Sequence, residues 1–196
     1  MLDFVNNVSQ EISTVGADVG YIAPMPERRI VRANHHAIPL LIDIVESTAF
    51  LPGGDKLRTR FIDELSSHAA TQTSFGAGEY YLGFADHLPF GFVGLTPLDD
   101  CAELRGPCLY RDYLGQGYGG YLLSEIVNIS CRRELHLLYE LIPTGAQEAW
   151  SFLIRNDFEL ISTDSPFIKR WRDGLLADLP VEDGTALFAR LIGREV

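Results

Sequence analysis

The chain has 196 residues, of which 46% are apolar and 22% charged, and it carries a formal net charge of −11. That composition suits one globular domain with a full hydrophobic core and argues against overall disorder. The acidic balance, without a basic tail or arginine-rich helix, argues against a nucleic-acid partner, and the longest charge-free apolar stretch, Leu88 to Leu98, is far short of the roughly 20 apolar residues of a helical membrane span.

Residues 1–27 read as an N-terminal extension, with a short helix over 2–14 followed by glycines and prolines, and residues 28–196 as the folded domain. A strand is expected over 28–33. A helix starting near Pro39 follows, because proline is tolerated in a first helical turn and Leu41, Ile42, Ile44, Val45 and Ala49 supply an apolar face. A second helix fits 56–70, where Leu57, Phe61, Leu65 and Ala69 recur every four residues.

The texture then changes to aromatic and β-branched runs. Residues 79–86 and 90–96 predict two strands of a hairpin, and 102–110 a third strand. Residues 119–132 predict a helix with Leu122, Leu123, Ile126 and Val127 on one face, and Leu135 to Ile142 another strand. Ala146, Ala149, Trp150, Leu153 and Ile154 follow helical spacing, and strands over 158–162 and 185–192 close the chain. This order describes an α/β (α+β) domain with helices packed against a sheet.

The segment Gly115-Gln116-Gly117-Tyr118-Gly119-Gly120 lies between a strand and an amphipathic helix. The first turn of a helix has unpaired backbone N–H groups and a partial positive charge, and glycines let a phosphate approach them. One reading is therefore a pyrophosphate cradle; another is a tight turn that binds nothing. No Gly-Lys-Ser/Thr follows, so the segment is not a P-loop. It matches the dinucleotide fingerprint GxGxxG literally, but Arg111 to Leu114 separate it from its strand, and the chain remaining after Gly120 is too short for a second half-sheet.

Taken with its surroundings, the segment resembles the GNAT N-acetyltransferase superfamily. Cys108-Leu109 ends a strand, Arg111-Asp112-Tyr113 forms a bend, and Leu114-Gly115-Gln116-Gly117-Tyr118-Gly119 opens the helix that continues with Tyr121-Leu122-Leu123. Ala149, Phe152-Leu153 and Asp157-Phe158-Glu159-Leu160 match the family's later helix and strand in order and spacing. The resemblance implies a mixed, mostly antiparallel central sheet with helices on both faces. It also implies an acyl-CoA co-substrate, acetyl-CoA first, whose pantetheine runs along Cys108 and Leu109 and whose pyrophosphate rests on Gly115, Gln116, Gly117, Tyr118, Gly119 and Gly120. The implied reaction transfers an acetyl group to a small-molecule or peptide amine by direct attack on the thioester.

The sequence departs from the family at several motif positions. Leu114 stands where Gln or Arg is usual, Leu153 where a tyrosine often acts as acid, Ala146 where asparagine is common, and Asp157 in place of a glycine. Those departures motivate an alternative, an acyl-CoA sensor of the same fold without turnover.

For the base, Glu140 comes first and Glu103 second. Strand alternation puts Glu140 beside Leu138 and Ile142, where loss of water raises a carboxyl towards a useful range. Some members of the family carry a glutamate on this strand; direct counting aligns Leu141 with it, and one inserted residue brings Glu140 there. The five histidines show no metal-ligand spacing. Cys101, Cys108 and Cys131 form no CxxC pair and read as buried, reduced thiols, and the N-terminus lacks the pattern of a secretory signal, which together give a cytoplasmic expectation.

Overall fold

The computed structural model describes residues 26–48, 55–71, 78–161 and 184–192. The short helix expected over 2–14, nearly all of the extension over 1–27, and residue 162 of the penultimate strand lie outside the described residues.

The elements follow the expected order: β1 (Arg28–Arg32), α1 (Ile38–Ser47), α2 (Asp55–Thr71), β2 (Glu79–Ala85), β3 (Leu88–Leu98), β4 (Cys101–Leu109), α3 (Tyr118–Arg132), β5 (Leu137–Pro143), α4 (Gln147–Arg155), β6 (Glu159–Leu160) and β7 (Thr185–Leu191). Among the described residues they form a seven-stranded sheet in the order β1-β2-β3-β4-β5-β7-β6. Every neighbouring pair is antiparallel except β4 with β5. A dinucleotide-binding sheet needs successive parallel crossovers, and among the described residues only the one through α3 is present, so the GxGxxG match lacks its frame.

Alternation along the strands divides the core between the two faces. Tyr80, Leu82, Phe92 and Cys108 pack against Ile38, Leu41, Ile44 and Val45 of α1 and Leu65 of α2. On the other face, Tyr81, Leu104, Leu138, Ile142 and Phe188 join Leu122, Leu123 and Ile126 of α3 and Leu153 of α4. The helices therefore cover both faces. Phe90, Phe92 and Phe188 are fully buried, each worth about 2–3 kcal/mol of transfer from water. Trp150 lies partly buried against this core, its indole N–H donating to Pro143 O at 3.1 Å. Cys101 and Cys108 are buried as expected, but Cys131 is exposed, because its position on α3 falls outside the apolar stripe of Leu122, Leu123 and Ile126. Among the described residues no helix is long and apolar enough to cross a membrane.

Near the start of the sheet, Glu79 accepts from Tyr81 Oη at 2.6 Å and pairs with Arg133 and Arg32, each at 2.7 Å. Burial pushes the Glu79 carboxyl up, but the Tyr81 hydroxyl and the two guanidiniums outweigh it and hold the group below the ordinary glutamate value. A depressed folded-state value stabilises the fold above the unfolded value, and this contribution is lost as pH falls through the folded one. Glu79→Gln should therefore cost about 2 kcal/mol at neutral pH, and the gap to the native chain should narrow on acidification. Urea denaturation of both chains across the acid range measures it; a gap independent of pH would refute the assignment.

Candidate functional site

The site begins where two strands part. β4 and β5 pair only at Cys101–Leu137, Ala102–Leu138 and Glu103–Tyr139. Beyond that point β4 stays with β3 as far as Leu109, while β5 stays with β7 as far as Pro143. Their facing edges diverge and, among the described residues, share no further ladder bonds.

The divergence coincides with a bulge in β4. Phe92 pairs with Cys108 and Gly94 with Arg105, so Gly106 and Pro107, joined by a cis peptide bond, oppose Val93 alone. Gly106 has φ +94°, and a Cβ there would lie 2.8 Å from the Cys108 backbone nitrogen. No other residue fits that position without moving the strand. At the far end of β4, Thr48 Oγ1 shares its proton between Ile44 O at 2.6 Å and Leu109 O at 2.9 Å, tying the end of α1 to the wedge.

The wedge leads to the glycine turn. Arg111–Tyr113 forms a single 3-10 turn, Leu114 is exposed, and Gly115 and Gly117 have φ of +72° and +81°. Space around both is open: a Cβ on either would meet nothing within 4 Å. The first bond of α3 runs from Tyr121 N to Gly117 O, so the N–H groups of Tyr118, Gly119 and Gly120 have no helical acceptor. Those donors and the open glycines fit an anionic phosphate group.

The residues of the turn divide into two kinds. Gly119 is buried, and a Cβ there would stand 3.2 Å from the Phe152 ring and 3.5 Å from Leu109. Its role is to let α3 approach α4. The Tyr118 ring is likewise in the core, 4.6 Å from Phe90 and 5.0 Å from Tyr113, with the Arg28 guanidinium over it at 4.5 Å, so Tyr118 offers the turn its backbone N–H. The Gln116 side-chain amide donates to Asp112 O and closes the loop on itself. Cys108 and Leu109 line the wedge through their backbone, since both side chains are buried; burial, then the Glu140 charge, pushes the Cys108 thiol up to about 12.

Glu103 and Glu140 both stand at the mouth of the wedge, on opposite faces. Glu103 is part-exposed on the side of α1 and α2, 3.5 Å from Arg105, whose guanidinium also binds both carboxylate oxygens of Glu64 on α2. The Tyr80 hydroxyl extends this network to Glu64 at 3.5 Å, and Tyr110 donates to Asp43 on the same face. Glu140 is 8% exposed on the side of α3 and α4, and its Oε1 accepts from Gly106 N at 3.2 Å. Burial pushes its carboxyl well above the usual range; the Gly106 N–H pulls the other way, and the Glu103 charge adds to the rise. Leu141 points to the opposite face and packs with Cys101 and Tyr139, so Glu140 is the residue of β5 that reaches the wedge.

Glu64, Thr48 and Gly106 carry no sequence signal for this site. Arg105 could have been found, because it shares a strand face with Glu103 two residues away.

No family model matches the sequence, and neither does any curated protein. Solved structures do match in fold. An acetyltransferase of the GNAT family from Staphylococcus aureus Mu50 superposes with a TM-score of 0.62 at 17% identity, covering 85% of this chain and 100% of that one. The ribosomal-protein-S18-alanine N-acetyltransferase of Escherichia coli gives 0.60 at 15% identity, covering 87% and 97%. The PaiA N-acetyltransferase of Thermoplasma acidophilum, solved in complex with coenzyme A, gives 0.58 at 14% identity, covering 84% and 99%. The chain has the GNAT fold: a mixed, mostly antiparallel sheet shared across its length with GNAT-family acetyltransferases.

Proposed function

We propose that the chain is an acyl-CoA-dependent N-acyltransferase, with acetyl-CoA as donor and a small-molecule or peptide amine as acceptor. The observation that carries this reading is the unpaired wedge between β4 and β5, which opens at one end onto the free amides of Tyr118, Gly119 and Gly120. An extended pantetheine arm has the amide groups to pair with the free edge of β4 near Cys108 and Leu109, as an added strand would. The pyrophosphate then meets the open turn at Gly115 and Gly117, where backbone donors replace the side-chain donor missing at Leu114.

The acceptor enters from the face of α1 and α2. That face carries Asp43, Glu64 and Glu103, and the chain as a whole is strongly acidic, which draws a cationic amine by electrostatic steering. Bringing amine and thioester together in a site shielded from water supplies much of the rate by orientation alone.

Coenzyme A and acetyl-CoA should raise the melting temperature of the folded, ligand-free protein, by mass action about 2.7 kcal/mol at 100-fold excess over Kd, whereas NAD should leave it unchanged. No shift at millimolar coenzyme A would refute the reading. A protein that binds acetyl-CoA and releases no free thiol with any amine would be the sensor instead.

Two glycine variants separate the two roles found in the turn. Gly117→Ala should cost about 1–2 kcal/mol in backbone strain, leave the domain folded, and weaken coenzyme A binding at least tenfold. Gly119→Val should destabilise the whole domain by about 1–3 kcal/mol through overpacking against Phe152. Titration calorimetry beside a thermal melt measures both; unchanged affinity in Gly117→Ala would remove the phosphate from the turn.

A further inference from the structure

The two carboxyl groups at the mouth of the wedge are not interchangeable. Glu103 lies on the acceptor face, part-exposed, with the Arg105 guanidinium 3.5 Å away. Glu140 lies on the other face, and among the described residues no arginine, lysine or histidine pairs with it. The groups facing it from β4 are the Gly106 N–H, the Cys108 thiol and Glu103 itself; from β7 its register partner is Phe188. Its strand neighbours Leu138 and Ile142 pack among Leu122, Leu123 and Leu153. A carboxyl group in such surroundings is held in its neutral form.

Resting on the acyltransferase reading above, we propose that Glu140 is the general acid that protonates the departing coenzyme A sulfur, and that Glu103 is the base that takes the proton from the acceptor amine. The sequence by itself had favoured Glu140 for the base. Its placement suits the opposite role: the Gly106 N–H of β4 engages Oε1 from across the gap between the strands, which leaves Oε2 to carry the proton. The position at which the family's tyrosine would stand holds Leu153, 1% exposed in the core and without a proton to give, so the acid has to come from elsewhere.

The step balances. The lone pair of the neutral amine attacks the thioester carbonyl carbon, forming the C–N bond, and the C–S bond breaks. The nitrogen loses one proton to the Glu103 carboxylate, and the sulfur gains one from Glu140. Products are the amide and the free thiol; Glu103 then releases its proton to water and Glu140 takes one up, restoring both groups. Two carboxyl groups in different surroundings, one among apolar side chains and one beside a guanidinium, can divide acid and base chemistry between them.

The first test needs no acceptor. In protein labelled with carbon-13 at the glutamate side-chain carboxyl, the resonance absent from Glu140→Gln belongs to Glu140. It should stand at the position of a protonated acid at neutral pH and move only as pH rises; a carboxylate position at neutral pH would overturn the proposal. The second test follows thiol release from acetyl-CoA over a panel of primary amines. Glu140→Gln, which preserves size and the bond from Gly106, should lower turnover by about 10²–10⁴-fold, remove the fall in rate at alkaline pH, and leave coenzyme A affinity unchanged. Glu103→Gln should remove the fall at acid pH. Loss of the acid limb in Glu140→Gln would make Glu140 the base and overturn the assignment, as would native turnover in that variant. Binding of acetyl-CoA without thiol release from any amine would end the enzyme reading and this assignment together, whereas an ionised Glu140 in an active protein would end this assignment alone.

Discussion

The bulge in β4 at Gly106-Pro107 is the constraint on which the rest of this molecule depends. A sheet normally satisfies the backbone groups of an interior strand on both edges, and here β4 is an interior strand with one edge left free over half its length. With the extra residue β4 stays paired to β3 as far as Leu109, while β5 is held to β7 along its whole length. Neither strand can close the gap without giving up an established partner. The open edge is therefore stable in the fold and available to an extended ligand with amide groups of its own.

Everything around the wedge is arranged with respect to that gap. Thr48 fastens α1 to the far end of β4, and the Arg105–Glu64 pair fastens α2 to its middle, so both helices of that face are anchored to the strand that bends. On the other face, the close approach of α3 to α4 over Gly119 sets the first turn of α3 just past the end of β4. The Tyr118 ring beside them packs in an aromatic group with Phe90 and Tyr113 beneath Arg28, which holds the start of α3 to the core. Orientation and preorganised donors are what a direct transfer between two bound substrates chiefly requires.

The two glutamates show how a sheet differentiates identical groups. Glu103 and Glu140 stand on neighbouring strands beside the same opening, yet alternation sends one towards Arg105 and the other towards an apolar layer. Leu114 and Leu153, which replace polar residues of the resembled family, belong to the same picture. In the proposed reading, backbone donors serve where the side chain at Leu114 cannot. Leu153 has no hydroxyl, and the buried carboxyl group of Glu140 stands across from Gly106 at the wedge.

The sequence alone determined which elements form and in what order, because the periods of 3.6 and 2 and the glycine turn are local properties of the chain. It also pointed to Gly115 to Gly120 as a turn that could cradle a phosphate, since unpaired N–H groups and missing side chains can be read from residue types. Strand divergence was beyond its reach: where β4 leaves β5 is decided by pairing with β3 and β7, a competition among segments distant in the chain. Gly119 looked like the other glycines until Phe152 was brought against it. The surroundings of Glu140 and Glu103 were decided by tertiary structure as well, because the cations, donors and water left around a carboxyl group depend on how the strands pair and the helices pack.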